Sequence, residues 1–117
     1  MARRITGARV VPLRKKKLSE RSGKPRLTIV GKVKRKVMKG HGGNSKNVLL
    51  STDVALVIDP KTKKSKKSKI KNVLKSPANR YFKTQMVKGT IIETELGKAK
   101  ITNRPGQEGA VAAILVE

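Results

Sequence analysis

Cysteine is absent from this 117-residue chain, and its only aromatic residues are Tyr81 and Phe82. Without cysteine the chain forms no disulfide bond and no thiolate zinc site. The longest apolar run, residues 109–116, is far too short to span a bilayer, and the basic start of the chain leads into no apolar signal-peptide core. One histidine and seven acidic residues leave few titratable groups for catalysis. We therefore expect a soluble, intracellular protein without a metal or cofactor.

Basic residues, by contrast, are abundant. The chain carries 30 Lys and Arg against 7 Asp and Glu, which gives a formal net charge of +23 and a pI near 11.2. Self-repulsion at this charge opposes compaction, so we expect a polyanionic partner that relieves it. Leu, Ile, Val and Phe make up about a quarter of the chain, which is above the level typical of full disorder and sufficient for a small aliphatic core.

The net positive charge of the chain comes entirely from residues 1–85. Residues 1–26 hold ten Lys or Arg and one acid, residues 27–85 hold sixteen and two, and residues 86–117 hold four of each. The first segment has no sustained periodicity and contains several Gly and Pro breakers. We interpret residues 1–26 as an extended basic arm, disordered when free and ordered on a partner, in preference to a solubilising tail without specific contacts.

Residues 27–37 follow a period of two. Apolar residues and one glycine occupy every second position, with Arg35 as the one exception, and lysines take the intervening positions 32, 34 and 36. This alternation predicts one strand with an apolar face and a basic outer face.

Further strands are predicted from short aliphatic and β-branched runs separated by Gly, Pro, Asn and Asp. They lie at residues 47–50, 54–58, 70–74, 90–95, 98–103 and 110–116, with turns at 59–62, 76–79 and 104–107. The strands at 90–95 and 98–103 form a hairpin, and no segment is typical of a long helix. The pattern predicts an all-β sandwich or small barrel over residues 27–117, with basic loops at 39–46 and 60–71. We expect its core to include Ile91, Ile101, Val111, Ile114 and Val116.

Two acids, Glu93 and Glu95, share one face of a predicted strand. Such a pair is compatible with acid/base catalysis or metal binding. Lys98 and Lys100 lie on the opposite arm of the hairpin, so cross-strand charge pairing is the preferred explanation.

Three glycines surround His41 in residues 40–44 and offer backbone N–H groups that suit a phosphate. The segment is not a Walker loop, because the Gly-Lys-Ser/Thr ending is missing. A flexible hairpin connection explains the glycines equally well. The flanking Lys39 and Lys46 favour contact with an RNA backbone.

The type of nucleic acid follows from what the chain offers. No helix is available for a DNA major groove, and the aromatics that stack RNA bases in common RNA-binding folds are missing. Phosphate neutralisation over a large surface remains, and it suits structured RNA recognised by its shape and 2′-hydroxyls.

Several stretches resemble one known family. They are residues 88–99, 101–109 and 113–117, together with Gly42-Gly43-Asn44, Asp59-Pro60-Lys61-Thr62 and Pro77-Ala78-Asn79 in the same order. The chain resembles the S8e family of small-subunit ribosomal proteins, in its short archaeal form. It departs from the family pattern at Ala8, where a second glycine is usual, and at His41, where arginine is common.

The resemblance implies a barrel-like β-domain whose arm is buried in small-subunit ribosomal RNA. It implies a structural constituent of the cytoplasmic small ribosomal subunit that acts in translation. Its partners would be that RNA and neighbouring ribosomal proteins, with no catalytic activity, membrane, small-molecule substrate or homo-oligomer. The main alternative is a ribosome-assembly factor that binds precursor rRNA through the same β-domain. An RNA-modifying enzyme or nuclease and a DNA-compacting protein are further alternatives.

The expected RNA-binding residues are cations and the glycine loop. They are Arg3, Arg4, Arg9, Arg14, Lys15, Lys16, Lys17, Arg21, Lys24 and Arg26 in the arm, Lys32, Lys34 and Lys36 on the first strand, Lys39, His41, Gly42, Gly43, Asn44 and Lys46 around the loop, and Lys61, Lys63 and Lys64 in a second basic patch that extends to Lys71. In the loop, Gly42 and Gly43 would let the backbone approach RNA closely, and Asn44 would add a hydrogen bond to a sugar or base edge.

Overall fold

The computed structural model describes residues 2–11, 13–23, 26–77 and 84–116. Within these residues, short β-branched and aliphatic runs, punctuated by Gly and Pro turns, fold into nine strands. The strands are β1 (Thr28–Val30), β2 (Lys34–Lys39), β3 (Ser45–Thr52), β4 (Val54–Ile58), β5 (Ser65–Lys75), β6 (Gln85–Met86), β7 (Ile91–Thr94), β8 (Gly97–Ile101) and β9 (Ala112–Leu115). The order β2-β3-β1-β6 forms a four-stranded sheet, and β4-β5-β7-β8-β9 forms a closed barrel. The all-β, barrel-like fold class is thereby confirmed.

Small and aliphatic side chains fill the core. Its buried members are Leu49, Ala55, Val57, Ile70, Met86, Ile92, Ala99, Ile101, Val111 and Ala113. In the barrel, Ile92 pairs with Ala99, and Ala113 pairs with Ile101. Alanine opposite isoleucine is the alternation of small and large residues that fills a narrow barrel.

For three of the five residues expected in the core, the prediction of burial is wrong. Ile101 and Val111 are buried, but Ile91 is only half-buried, and Ile114 and Val116 are 37% and 44% exposed. Lys100 pairs with both Ile91 and Ile114, which places these isoleucines on the outer face of the barrel. A period of two fixes alternation and leaves open which set of side chains faces inward.

Residues 27–37 do not form the single strand that their alternation predicts. β1 and β2 are separated by a bend at residues 31–33 and flank β3, with β1 parallel to it and β2 antiparallel. The inward residue of β1 is Thr28, whose hydroxyl donates to the carbonyl of Leu49 (2.8 Å), while Ile29 is 49% exposed. β2 is an edge strand that leaves Val37 64% exposed. The predicted apolar face is therefore wrong, because the chain turns where the alternation continues.

The strand at 54–58 and the hairpin of β7 and β8 are confirmed within a residue or two at their ends. The predicted loop at 60–71 is confirmed only over its first part, because β5 begins at Ser65 and contains most of the lysines. The turn predicted at 104–107 is a one-turn helix, α1 (Pro105–Glu108). Pro105 at its first position has no N–H to leave unpaired, and Gly109 ends it with a φ of +73°.

The described residues of the N-terminal segment, 2–11 and 13–23, lie on the surface. All described side chains in this segment are exposed. Local structure consists of a β-bridge between Arg3 and Arg9 and a 3-10 turn at Leu18–Glu20. The radius of gyration is 19.6 Å, against about 13 Å for a compact domain of this length.

Helix α1 joins the barrel to the four-stranded sheet. A Cβ at Gly109 would lie 3.0 Å from the Cβ of Asn47 on β3, so only glycine lets the backbones come this close. The Arg35 guanidinium on β2 donates from Nε to the Gly109 carbonyl at 3.1 Å. This contact explains the basic residue that interrupts the apolar alternation at position 35.

Candidate nucleic-acid interface

The basic arm, residues 1–26, presents its cations to solvent. Arg3, Arg4, Arg9, Arg14, Lys15, Lys16, Lys17, Arg21 and Arg26 are all exposed, and Lys24 lies outside the described residues. The one acid of the arm, Glu20, accepts two hydrogen bonds from the Arg14 guanidinium, at 2.7 and 3.0 Å. The bonds from Arg14, and a further one from the Lys17 backbone N–H, hold the pKa of Glu20 below its usual value. The described part of the arm is therefore a series of accessible cations with one internal ion pair.

The glycine loop, residues 40–44, connects β2 to β3 as a tight 3-10 turn. Gly42 and Gly43 have φ values of +70° and +75°, which glycine adopts without steric cost. The Gly40 N–H donates to the Asn44 carbonyl (2.6 Å), and Asn44 Nδ2 donates to the His41 carbonyl (3.1 Å). The predicted hairpin connection is confirmed. Contact of the loop with RNA stays a prediction. For such a contact, one N–H of the Asn44 amide is already bonded to the His41 carbonyl.

The second basic patch begins at the turn between β4 and β5. Asp59 accepts from the Thr62 hydroxyl (2.9 Å) and from the Lys61 N–H (3.0 Å), and these bonds lower its pKa. The turn positions Lys61, Lys63 and Lys64 on the surface, where all three are exposed.

Strand β5 continues that patch along the outside of the barrel. Ser68 and Ile70 are buried, so Lys67, Lys69 and Lys71 alternate with them and are exposed. Alternate residues of a strand lie about 6.6 Å apart, so Lys67 and Lys69 form a row of positive charge that Lys71 continues in the β-bulge between Ile70 and Asn72. The sequence predicted a basic patch here. Only the strand seen in the structure shows that its lysines lie on one face.

Glu93 and Lys98 are register partners on β7 and β8, as the charge-pairing hypothesis expects. No salt bridge joins Glu93 or Glu95 to Lys98 or Lys100, all of which the structure describes. Glu95 lies in the turn and has no partner across the hairpin. Glu93 and Lys98 are therefore paired in strand register without a direct ion pair.

A groove runs between the four-stranded sheet and α1, with a volume of about 580 Å³. Its floor is apolar and is formed by Leu27, Met38, Val48, Met86, Val87 and Pro105. Its rim is basic and is formed by Arg26, Lys39, Lys46, Lys88 and Arg104, all exposed. We call this feature the basic-rimmed groove.

The groove brings together cations that are distant in the sequence. Arg26, Lys39 and Lys46 were expected to bind RNA, whereas Lys88 and Arg104 were not, because they lie in the electrically neutral last third. The pairing of β6 with β1 brings Lys88 to this surface, and the packing of α1 against β3 brings Arg104. Lys32, Lys34 and Lys36 are exposed outside this lining.

Two classes of site are missing from the part of the chain that the structure describes. It contains no group of three or more His, Asp or Glu side chains that would hold a metal ion. Across the same ranges, no helix is long and apolar enough to cross a membrane.

Comparison with known proteins gives matches over nearly the whole chain. The model of the family described as Ribosomal protein S8e matches residues 1–116. A protein of Methanococcus aeolicus named small ribosomal subunit protein eS8 is 44% identical, over 97% of this chain and 91% of its own length. Proteins of the same name from Methanocella arvoryzae and Methanosarcina barkeri are 42% and 39% identical, over 97% and 98% of this chain and 93% and 94% of their own lengths.

Proposed function

This chain belongs to the ribosomal protein S8e family, and from that premise we propose that it is a structural constituent of the small ribosomal subunit. In this role it binds folded small-subunit rRNA, stabilises it by phosphate neutralisation and takes part in translation within the cytoplasm. The relatives named above are archaeal and carry the name of a small-subunit protein. The proposed role is structural and involves no catalytic step.

The observation that carries the RNA-binding part is the exposure of the arm's cations. Eight Lys and Arg side chains lie between residues 2 and 23, against the single acid Glu20. Segments of this composition neutralise phosphates where RNA strands converge, and ordering them on RNA removes their mutual repulsion. The arm therefore supplies affinity, and the folded body supplies its orientation.

The body supports the same function through two basic surfaces. The lysine row of β5 and the rim of the groove, which includes Lys39 and Lys46 beside the glycine loop, present exposed cations. Phosphate contacts of this kind fix position and orientation and do not read sequence. Recognition then depends on the spatial arrangement of the phosphates, which folded RNA supplies through its shape.

The test is sedimentation of the full chain in native cell extract on a magnesium-containing sucrose gradient. We expect it to migrate with small subunits and with translating ribosomes, and to stay there through a moderate salt wash. Migration only with precursor particles would support an assembly factor in its place. Recovery as free protein or on DNA would contradict the proposal.

A matched pair of variants assigns the association to the arm. Lys16→Ala with Lys17→Ala removes two charges from the arm, and Lys98→Ala with Lys100→Ala removes two exposed charges from the barrel. We expect the first pair to release the protein at lower salt and the second to leave its salt resistance unchanged.

A further inference from the structure

The basic-rimmed groove combines two chemical surfaces that are unusual together. Its floor includes Met86 and Val48, which are 1% and 3% exposed, beside the half-buried Met38. Its volume of about 580 Å³ lies within the range of small-ligand sites, about 300 to 1,000 Å³. An apolar concavity of this size on so charged a protein suits the insertion of an apolar group.

The positive rim favours a negatively charged ligand. Five cations surround the opening, and no acidic residue occurs among the described residues that line it. An anion is attracted from every side, and a cation or a basic peptide is repelled. The occupant is therefore amphipathic, with an apolar part for the floor and negative groups for the rim.

The rim and floor are held in position by backbone packing. Gly106 of α1 lies against the chain at Arg26, where a Cβ would come 2.9 Å from the Arg26 carbonyl oxygen. The Arg26 guanidinium donates to the Met38 sulfur across the groove. Guanidinium groups stack on nucleobases, and methionine sulfur makes favourable contacts with aromatic rings. A nucleobase in the groove could therefore stack on the Arg26 guanidinium and contact the Met38 sulfur.

Resting on the proposed function, we propose that the basic-rimmed groove binds one unstacked nucleotide of the small-subunit rRNA. Its base lies against the half-buried floor residues Leu27, Met38 and Val87 and the Arg26 guanidinium. Its own phosphate and the adjoining phosphates contact the rim. RNA loops and bulges present such splayed-out bases, which proteins stack on aromatic side chains or on arginine guanidinium planes. The groove thereby adds one base contact to an interface otherwise made of phosphate contacts.

Photo-crosslinking in assembled particles tests this directly. The full chain is produced with photo-methionine, a diazirine analogue of nearly the same shape, and small subunits that contain it are isolated and irradiated. We expect a crosslink from Met38, the half-buried methionine of the groove, to one unpaired rRNA nucleotide. That crosslink should disappear in the Met38→Leu chain and persist in the Met86→Leu chain, because Met86 is only 1% exposed.

Other crosslinking results overturn the inference. A crosslink to a ribosomal protein would show that a peptide occupies the groove, and a crosslink to paired rRNA would show surface proximity alone. Recovery of particles without any crosslink from positions 38 and 86 would leave the groove empty and the ribosomal function intact. Failure of the chain to enter particles would instead contradict the proposed function.

Binding to protein-free small-subunit rRNA gives an independent measure. Met38→Ala should weaken binding about fivefold, the lower end of the loss seen when one base contact is removed. The slope of log K against log salt should not change, because no phosphate contact is lost. The control is Val37→Ala, the exposed neighbour on the other face of β2, with an expected change below about twofold. Equal effects of the two substitutions would contradict the proposal.

Discussion

Neighbouring isoleucines on β7 have different environments. Ile92 is fully buried among Ala99 and other core residues, whereas Ile91 pairs with Lys100 on the outer face. We expect Ile92→Ala to lower the free energy of unfolding by about 2 to 5 kcal/mol, because it leaves a cavity in the barrel. Ile91→Ala should cost less than half as much, since part of that side chain is already in solvent. Urea denaturation of both variants measures these free energies of unfolding. Equal losses of stability would contradict the assignment of Ile92 to the inner face and Ile91 to the outer face of β7.

Hydroxyl side chains explain why the inner face was hard to assign from the sequence. Thr28, Thr90 and Thr94 are all buried. Thr28 donates to the Leu49 carbonyl at 2.8 Å, and Thr94 donates to the Gly97 carbonyl at 2.8 Å. A buried hydroxyl with such a partner escapes most of the cost of desolvation. Polar residues can therefore occupy inward positions, and a pattern of apolar residues alone places the wrong set inside.

The turn between β4 and β5 depends on one carboxylate. The Thr62 hydroxyl and the Lys61 N–H both donate to Asp59 and lower its pKa below the usual 3.8. Because the pKa is lower in the folded chain, the stabilisation by this carboxylate is complete above about pH 3.8. It is lost as the pH falls through the lower, folded value. We expect the Lys61 amide resonance to shift in that acidic range.

The matched variant for this turn is Asp59→Asn. Its amide oxygen can still accept from the Lys61 N–H, but it has no carboxyl proton to gain. The acid-dependent shift of the Lys61 amide should therefore disappear while the turn remains. An unchanged shift in this variant would assign the titration to another group.

Elements held together by local contacts were the ones that the sequence predicted well. The hairpin of β7 and β8 has a two-residue turn, and β4 is bounded by its own turn signal, so each is defined by neighbouring residues. β1 is placed by pairing with β3 and with β6, and the second half of β5 is placed by pairing with β7. Such pairing between segments distant in the chain overrides local propensity and cannot be read from one segment.

The candidate interface divides in the same way. The arm and the glycine loop were predicted from composition, because runs of like charge and clustered glycines are visible in one segment. The basic-rimmed groove was not, since Lys88 contributes to it through the pairing of β6 with β1 and Arg104 through the docking of α1 on the sheet. A neutral stretch of sequence can thus supply cations to a strongly positive surface.

At the scale of the whole molecule, the buried core and the exposed cations of the arm lie in different segments of the chain. The core lies between Leu49 and Ala113, and the described residues of the arm are all exposed. Substitutions in the arm should therefore leave the unfolding transition almost unchanged, within about 0.5 kcal/mol. This separation makes the arm's electrostatic contribution measurable without a loss of fold.

The salt dependence of rRNA binding measures that contribution. Replacing Lys15, Lys16 and Lys17 by alanine should make the slope of log K against log salt shallower by about 2 to 3, because each lost phosphate contact removes about 0.7 to 0.9. The Lys98→Ala, Lys100→Ala chain is the control, because it also loses positive charge but from the near-neutral end of the protein. If net charge alone drives association, the control slope should fall in proportion to the charge removed. A slope that changes only with the arm variant would locate the phosphate contacts in the arm, whereas proportional changes in both would reduce the arm to a solubilising tail.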